Sequence, residues 1–209
     1  MMQLAGKQKY IKKKQYRAIV IGTSQGGMAA LTRLLPVLPE NYPIPFIVVQ
    51  HVHPPQGDFL VEYYSEKCSL AVKEADEKES ICPGYVYFAP ANYHLLIERN
   101  ESFSLSVDDK VNYARPSIDV LFETAADTYS SDLVGIILTG ANNDGAHGLY
   151  QIKKNGGLTV VQDPETAESC YMPQAAIDVA EADRVMSLEE IGDLLIRLGE
   201  SYWISCKRY

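Results

Sequence analysis

The sequence predicts an α/β fold, a doubly wound and mostly parallel sheet with helices on both faces and some antiparallel edge strands. Short apolar runs of strand length alternate along the chain with longer segments of helical periodicity. The predicted strands are apolar on both faces, which is typical of parallel sheets covered by helices. A chain of 209 residues, 46% apolar and 22% charged, suits one globular domain with a small appendage.

Apolar runs and short alternating segments predict the strands. The runs RAIVIG, PFIVVQ and LVGIIL have the length and composition of buried strands. The predicted strands cover residues 17–22, 45–50, 71–74, 85–89, 95–98, 103–107, 133–138 and 158–161. Those within 68–113 are short and separated by turns, so we expect some of them to be antiparallel. We assign this stretch to the same domain, because no repeat or linker sets it apart.

Apolar residues spaced three and four apart predict the helices. Met28 and Leu31 begin such a pattern after the first strand, and Ile118 and Leu121 begin another. Ser117 precedes the second pattern, where a serine can cap the first turn. The predicted helices cover residues 27–38, 59–67, 117–129, 146–155, 173–181 and 188–201.

The charge is acidic overall and unevenly distributed. Asp and Glu outnumber Lys and Arg by 27 to 19, a net charge of −8, which argues against nucleic acid as a partner. The first 17 residues nevertheless carry six basic side chains and no acidic one. We therefore divide the chain into a basic N-terminal arm, 1–16, and a main domain, 17–209. The arm is either a solvated tail or a contact for an acidic partner or membrane surface.

Several observations together predict a cytoplasmic protein. The longest apolar runs fall far short of the roughly 18 residues that a membrane span needs, so we expect no membrane insertion. The basic start is not followed by an apolar segment of the kind found in secretory signals. The four cysteines are widely spaced and form no C-x-x-C pair, which favours reduced thiols.

The active site of an open parallel sheet lies beyond the carboxyl ends of its strands. The first such segment, 22–27, reads G-T-S-Q-G-G. Two observations argue against a dinucleotide-binding turn here. Such a turn needs glycine at the position of Ser24, and the acidic residue expected after the second strand is missing. The segment also matches G-x-S-x-G, the turn that exposes a nucleophilic serine between a strand and a helix. The alternative is a glycine-rich turn with a capping serine.

The second segment, 50–55, reads Q-H-V-H-P-P. A histidine at this strand end would face Ser24 if the two strands are neighbours, and could act as its general base. His51 and His53 both suit that role, and either could also be an incidental polar residue. The two histidines could form a metal pair, but no further ligand is clustered with them, so we expect no metal.

The third segment, 139–148, is polar and rich in glycine. Asp144 could orient a histidine and stabilise its imidazolium, or could merely cap the following helix. His147 would restore the Ser–Asp–His chain order of α/β-hydrolases, but it lies only three residues after Asp144. Backbone N–H groups of such a loop can also line an oxyanion site. Ser24, His51 and Asp144 therefore form the favoured set of nucleophile, base and orienting residue.

Six stretches together resemble the catalytic domain of the chemotaxis receptor methylesterases, the CheB-type protein-glutamate methylesterases. The resemblance covers about residues 17–199 in order. Its longest motifs are AIVIGTSQGG, FIVVQHVHP, PGYVYFAPANYHLL, ARPSIDVLF, GIILTGANNDGAHGL and VVQDPETAESCYMPQAAI.

The resemblance implies a serine hydrolase that removes methyl esters from glutamate side chains on the cytoplasmic helices of chemoreceptors. Many members also deamidate glutamine there. It implies a catalytic triad of Ser24, His51 and Asp144, a doubly wound fold, and no metal or organic cofactor. Backbone groups near Gln25 and Ala141 are then expected to bind the oxyanion, and Met172 to wall the pocket. Three further residues are weaker candidates for the site. Arg115 could contact an acidic receptor surface or form a structural ion pair. His94 and Pro173 lie in loops that could wall the pocket.

The chain departs from the family pattern in its loops. Gln25 stands where the family usually has Thr, and Ala141 and Asn142 stand where the family loop usually has Met and Gly. An asparagine at position 142 would strain the loop if that position needs a positive φ. These changes keep two alternatives open: a hydrolase of the same fold acting on another ester or amide, and a catalytically inactive binding module.

The region before the first predicted strand is a further departure. Well-known members carry an N-terminal receiver domain that controls the active site, whereas only 16 residues precede the first strand here. Three expectations remain open: a stand-alone enzyme, an enzyme that works with a separate receiver or regulatory protein, and a piece of a longer chain.

Overall fold

The structure, a computed structural model, describes residues 14–51 and 57–206. These residues form nine strands and six α-helices. The strands are β1 (Ala18–Thr23), β2 (Phe46–Gln50), β3 (Ala71–Glu74), β4 (Tyr85–Phe88), β5 (His94–Ile97), β6 (Phe103–Ser106), β7 (Leu133–Ile137), β8 (Leu158–Gln162) and β9 (Arg184–Met186). The helices are α1 (Gly27–Leu34), α2 (Gly57–Ser65), α3 (Ile118–Tyr129), α4 (Ala146–Lys154), α5 (Tyr171–Ala180) and α6 (Leu188–Cys206).

Seven of the strands form one parallel sheet in the order β3-β4-β2-β1-β7-β8-β9. The predicted fold class is confirmed, with one refinement. The antiparallel strands β5 and β6 pair only with each other and form a separate two-stranded sheet. The short edge strand β9 was not predicted, since its three residues lack the apolar run that identified the others.

Helices cover both faces of the sheet, and each face has its own core. Buried residues of α1, α2 and α6 pack against one face, and those of α3, α4 and α5 pack against the other. All six residues of β1 are buried, because both faces of this central strand are covered. The predicted apolar stripe of α3 is confirmed, since Ile118, Leu121, Phe122 and Ala125 are fully buried.

Helix ends differ from the predictions where local chemistry interrupts the pattern. The first helix was predicted to reach residue 38 but ends at Leu34, with Leu35 as its C-cap. Pro36 explains this, because proline lacks an N–H and disfavours helical geometry in the residue before it.

Two glycines shape the turns at the carboxyl edge of the sheet. Gly26 precedes α1 with φ 77° and Gly145 precedes α4 with φ 94°, a conformation that other residues rarely adopt. Gly22 is required for a different reason: a Cβ there would lie 2.3 Å from Ile118 Cγ2, in the first turn of α3. The turn carrying Ser24 is therefore closely packed against α3.

The last residues of the predicted basic arm contact the main domain. Lys14 Nζ donates a hydrogen bond to the carbonyl oxygen of Gly156, and Tyr16 packs against one of the two cores. The rest of the arm, 1–13, lies outside the described residues, and the boundary at residue 16 stays a prediction. None of the helices in the described ranges is both long and apolar enough to cross a bilayer.

Candidate active site

Ser24 and His51 each follow directly on paired residues of neighbouring strands. Thr23, the last residue of β1, is paired in the sheet with Gln50, the last residue of β2. The His51 N–H donates to the Thr23 carbonyl oxygen at 3.0 Å, and the Ser24 N–H donates to the Thr139 carbonyl oxygen at 3.0 Å. The strand adjacency on which the prediction depended is therefore present, and the serine and histidine emerge side by side.

Gln50 links these two backbone segments, a role that the sequence reasoning missed. Its Nε2 donates to the carbonyl oxygens of Ser24 and His51, both at 2.9 Å. Its Oε1 is buried and accepts no hydrogen bond from the described residues. A glutamine ending an otherwise apolar strand was the available signal, because a buried amide normally has partners to satisfy.

His51 and Asp144 are directly hydrogen-bonded. His51 Nε2 lies 3.0 Å from Asp144 Oδ2, and the Asp144 side chain is fully buried. The structure thus brings the predicted orienting residue to His51 and not to His147. His147 is exposed in the first turn of α4, and His53 lies outside the described residues.

The Asp144 carboxylate accepts hydrogen bonds from five donors of the described residues. Oδ2 accepts from His51 Nε2 and the Ile118 N–H; Oδ1 accepts from Ser117 Oγ, Asn112 Nδ2 and the Asp119 N–H. Burial by itself would raise the pKa of Asp144, but these hydrogen bonds, chiefly those from His51, Asn112 and Ile118, outweigh it and lower the pKa. Asp144 is therefore held ionised beside His51.

The helix-cap interpretation of Asp144 needs a correction. Asp144 does receive N–H groups from a helix start, but the helix is α3, not the following helix α4. The predicted cap residue of α3, Ser117, makes no capping hydrogen bond with its side chain and donates its hydroxyl to Asp144 instead. The positive N-terminus of α3 adds to the stabilisation of the Asp144 charge.

A second buried carboxylate lies beside Asp144. Asn112 Nδ2 donates to Asp119 Oδ2 at 2.7 Å and to Asp144 Oδ1 at 3.0 Å, so one amide bridges both. Burial, and to a smaller extent the Asp144 charge, raises the pKa of Asp119, while the Gly148 N–H opposes this effect. Neighbouring carboxylates are thus shifted in opposite directions, and the one bonded to His51 is the more acidic.

Asp144 and Asn142 together determine which nitrogen of His51 can act as a base. Asn142 Oδ1 accepts the Asp144 N–H at 3.0 Å, which directs its Nδ2 to His51 Nδ1 at 3.2 Å. Since Asn142 donates to Nδ1 and Asp144 accepts from Nε2, the neutral ring carries its proton on Nε2. The loop strain considered for Asn142 is absent, because this residue is not at a positive φ.

Ser24 lines a cavity of about 480 Å³. Its described lining comprises Ser24, Gln50, His51, Ala89, Ala91, Asn92, Lys110, Asn112, Tyr113, Ala114, Arg115, Pro116 and Asn142. Within the described part of the chain, Ser24 Oγ makes no hydrogen bond to His51. Hydrogen bonds between a nucleophile and its base often form fully only when substrate binds, so Ser24 and His51 remain compatible with these two roles.

Gln25, Ala141 and Met172 surround the Ser24 turn without lining the described cavity. A Cβ added at Gly140 would lie 3.0 Å from Ser24 Cβ and 2.6 Å from Met172 Cε, so Gly140 separates the buried methionine from the serine. Ala141 and Gln25 are exposed neighbours of this contact. Their predicted roles in oxyanion binding and pocket formation stay predictions.

Arg115 and His94 support the loop around the cavity. Arg115 Nη1 donates to the carbonyl oxygens of Val107 and Asp108, at 2.6 and 3.0 Å. It is therefore held by backbone carbonyls and forms no ion pair with a described carboxylate. His94 is almost fully buried, lies 3.0 Å from the Asp109 carbonyl oxygen, and accepts the Ser117 N–H. Pro173 lies buried in α5.

No cluster of three or more metal-ligating side chains occurs in residues 14–51 and 57–206. The polar residues that line the cavity include Ser24, His51 and the amides of Gln50, Asn112 and Asn142, and the buried Asp144 carboxylate lies behind His51. This arrangement suits acyl transfer through a nucleophile and a base.

Comparisons with known proteins identify the family. Residues 19–195 match the family model described as CheB methylesterase. A Thermotoga maritima protein named protein-glutamate methylesterase/protein-glutamine glutaminase is 37% identical over 185 residues, covering 87% of this chain and 54% of that protein. A Leptospira interrogans relative, whose name gives the same activities provisionally, is 52% identical over 186 residues, covering 89% of this chain and 96% of that protein.

A solved structure agrees with both the fold and the family. The crystal structure of the Thermotoga maritima CheB methylesterase catalytic domain superposes with a TM-score of 0.84 at 36% sequence identity. The match covers 88% of this chain and 99% of that domain. The shared sequence and architecture extend over all three loops that carry Ser24, His51 and Asp144, and the chain belongs to the CheB methylesterase family.

Proposed function

We propose that this protein is a protein-glutamate methylesterase that also deamidates glutamine, using Ser24 as nucleophile, His51 as general base and Asp144 as orienting residue. The observation that carries the proposal is the juxtaposition of Ser24 with a His51–Asp144 pair bonded at 3.0 Å. The names of the relatives supply the substrate class, methyl esters of glutamate and the amide of glutamine in proteins.

The first chemical step forms an acyl-serine. His51 Nδ1 accepts the Ser24 proton while Ser24 Oγ attacks the side-chain carbonyl carbon of the substrate. The resulting imidazolium carries its other proton on Nε2, 3.0 Å from the ionised Asp144, whose charge stabilises it. The imidazolium then gives its Nδ1 proton to the leaving oxygen, and methanol departs.

The second step hydrolyses the acyl-serine by the same route. His51 Nδ1 takes a proton from water, the hydroxide attacks the glutamyl carbonyl, and the proton is returned to Ser24. Glutamine follows the same sequence with ammonia as the leaving group. The products are a glutamate carboxylate and either methanol or ammonia, and the enzyme is regenerated.

The negative oxygen of each tetrahedral intermediate needs hydrogen-bond donors. We propose the backbone N–H groups of Gln25 and Ala141, because both adjoin the Ser24–Gly140 contact. Neither N–H donates to another residue in the described part of the chain. One such donor is typically worth about 100- to 1,000-fold in kcat.

The cavity and its rim suit a side chain presented by a folded protein surface. Its volume accommodates one esterified glutamate side chain, and Lys110 and Arg115 line it beside the exposed Tyr113. We propose the methylated cytoplasmic helices of chemoreceptors as the substrate, which would place the reaction in the cytoplasm. Regulation by a separate receiver protein stays a prediction.

The test is methanol release from a methylated cytoplasmic fragment of a chemoreceptor. We expect release by the wild type and a loss on the order of 10⁶-fold in kcat for Ser24→Ala, since the nucleophile is removed. Ser131→Ala is the matched control, an exposed serine just before β7, at the opposite edge of the sheet. It should release methanol like the wild type.

A fluorophosphonate probe, which labels reactive serines, separates the alternatives. Labelling of Ser24 without methanol release would indicate a hydrolase of another ester or amide. A folded protein with neither labelling nor release would indicate a binding module. Release that survives Ser24→Ala would contradict the proposed nucleophile.

A further inference from the structure

Asn142 and Ser24 need the same lone pair of His51. A neutral imidazole has a single acceptor nitrogen, and the Asp144 contact assigns that acceptor to Nδ1. Asn142 Nδ2 lies 3.2 Å from Nδ1, whereas Ser24 Oγ makes no hydrogen bond to it. The amide therefore occupies the site where the proposed mechanism requires the serine proton to arrive.

The orientation of the Asn142 amide is fixed by its other end. Its Oδ1 accepts the Asp144 N–H at 3.0 Å, closing a local turn, so the nitrogen must point at His51. A flipped amide would lose that hydrogen bond and place its nitrogen against the Asp144 N–H. Asn142 is also partly buried and lines the cavity beside His51.

We propose that Asn142 is a positioning residue that holds His51 in a resting state, and that Ser24 must displace its amide before the proton can be transferred. The proposal rests on the proposed function for the identity of base and nucleophile. The hydrogen bond stabilises neutral His51 and is lost when Nδ1 takes the proton, so it opposes the acylation step. At the same time it keeps the ring oriented, with Nε2 towards Asp144.

The effect on rate follows from the strength of one neutral hydrogen bond. The typical net free energy of one such hydrogen bond corresponds to roughly a 2- to 10-fold change in rate, if the bond is present in the ground state and absent from the transition state. Removing the amide donor should therefore accelerate serine acylation by about that factor. KM should change little, because the contact is to His51 and not to substrate.

Asn142→Ser is the decisive variant. A serine can still accept the Asp144 N–H through Oγ and keep the turn, but it carries no amide to reach His51. Asn142→Gly removes both the hydrogen bond to His51 and the one from the Asp144 N–H. Comparing it with Asn142→Ser separates the effect of the His51 contact from the effect of the turn. Asn143→Ala is the matched control, an exposed amide in the same loop with no side-chain hydrogen bond among the described residues.

The measurement is the rate of Ser24 labelling by a fluorophosphonate probe, in which Oγ bonds to phosphorus, fluoride leaves and His51 Nδ1 takes the proton. We expect Asn142→Ser to be labelled about 2- to 10-fold faster than the wild type. In the methanol assay the gain should appear in kcat and not in KM. Asn143→Ala should match the wild type.

Equal or slower labelling of folded Asn142→Ser would overturn the proposal, because the amide would then be neutral or helpful to acylation. Thermal unfolding of the three variants shows whether each one is folded. If Asn142→Gly fails to fold, Asn142→Ser still decides. Because labelling needs no receptor, a wild type that is labelled but releases no methanol would contradict the proposed substrate and leave this test intact.

Discussion

The two sides of the His51 ring are built in contrasting ways. On the Nε2 side, Asp144 is fully buried and accepts hydrogen bonds from five donors, two of them backbone N–H groups at the start of α3. On the Nδ1 side, one side-chain amide of the described residues is hydrogen-bonded to the ring, and Ser24 is only partly buried at the cavity. The carboxylate proposed to stabilise the imidazolium therefore has many fixed partners, whereas the nitrogen proposed to accept the proton can exchange its partner.

This contrast suits the chemistry in physical terms. A buried carboxylate must be compensated at all times, because an unpaired buried charge is costly. In the proposed mechanism the accepting nitrogen changes partners during each turnover, so a strong fixed contact there would slow the reaction. Substitutions on the Nε2 side should therefore affect catalysis and stability together, and those on the Nδ1 side should affect mainly the rate.

Among the substitutions that test this contrast, Asp144→Asn has the largest expected effect. An amide in place of the carboxylate removes the charge beside Nε2 and can present an N–H to the ring, which favours the wrong tautomer. We expect kcat to fall about 10⁴-fold. The variant should also unfold at a lower temperature, since the amide cannot accept all five hydrogen bonds. Wild-type methanol release by this variant would remove Asp144 from the mechanism.

Gln50→Leu tests the link between the serine and histidine segments. Losing the two donors leaves the His51 carbonyl oxygen without its Gln50 partner, at a cost of about 1–3 kcal/mol in the free energy of unfolding. Small displacements of a reacting group can cost about 100-fold in rate, so we expect kcat to fall by up to that factor. Denaturant unfolding and methanol release measure the two effects.

The control for Gln50 is Gln174→Leu, an exposed glutamine in α5. It should keep the wild-type rate. An unchanged kcat in Gln50→Leu would show that the strands alone position Ser24 and His51.

Ser117→Ala removes one donor from Asp144 without touching Oδ2, the oxygen bonded to His51. Hydrogen bonds to charged groups contribute about 1.5–3 kcal/mol, and two donors to Oδ1 remain, so we expect a loss near 1.5 kcal/mol in the free energy of unfolding. The change in kcat should stay below about threefold, on the order of a weak neutral hydrogen bond. A loss of kcat comparable to that of Asp144→Asn would show that the two oxygens are not independent.

Lowering the pH should change the contributions of Asp144 and Asp119 to the free energy of unfolding in opposite directions. The pKa of Asp144 is lowered by folding. Its contribution to the stability of the folded protein is therefore complete above the unfolded pKa of about 3.9 and is lost as pH falls through the folded pKa. The pKa of Asp119 is raised, so its contribution is greatest below about pH 3.9 and is lost as pH rises through the folded value.

Melting temperatures of the wild type, Asp144→Asn and Asp119→Asn between pH 7 and pH 3 measure this difference. The advantage of the wild type over Asp144→Asn should shrink below about pH 4. Relative to Asp119→Asn, the wild type should instead gain as pH falls from 7 towards 4. Parallel curves for both variants would contradict the opposite shifts.

Sequence patterns were sufficient for most of the fold and for choosing the candidates of the proposed triad. Buried strands such as β1, β2 and β7 are apolar on both faces, and the residues that follow them meet at one edge of any parallel sheet. That rule selected the three segments that contain Ser24, His51 and Asp144. The family resemblance chose His51 over His53, and the structure, in which Asp144 contacts His51, excludes His147 as the partner of Asp144.

The sequence by itself therefore determined the fold class, the edge of the sheet that carries the site, and the candidate side chains, because periodicity and strand ends are local properties. Only the tertiary structure decided that Asp144 is held by the start of α3, that Gln50 joins the serine and histidine segments, and that Asn142 contacts Nδ1. Hydrogen-bond partners of buried polar groups come from segments distant in sequence, so no local pattern records them.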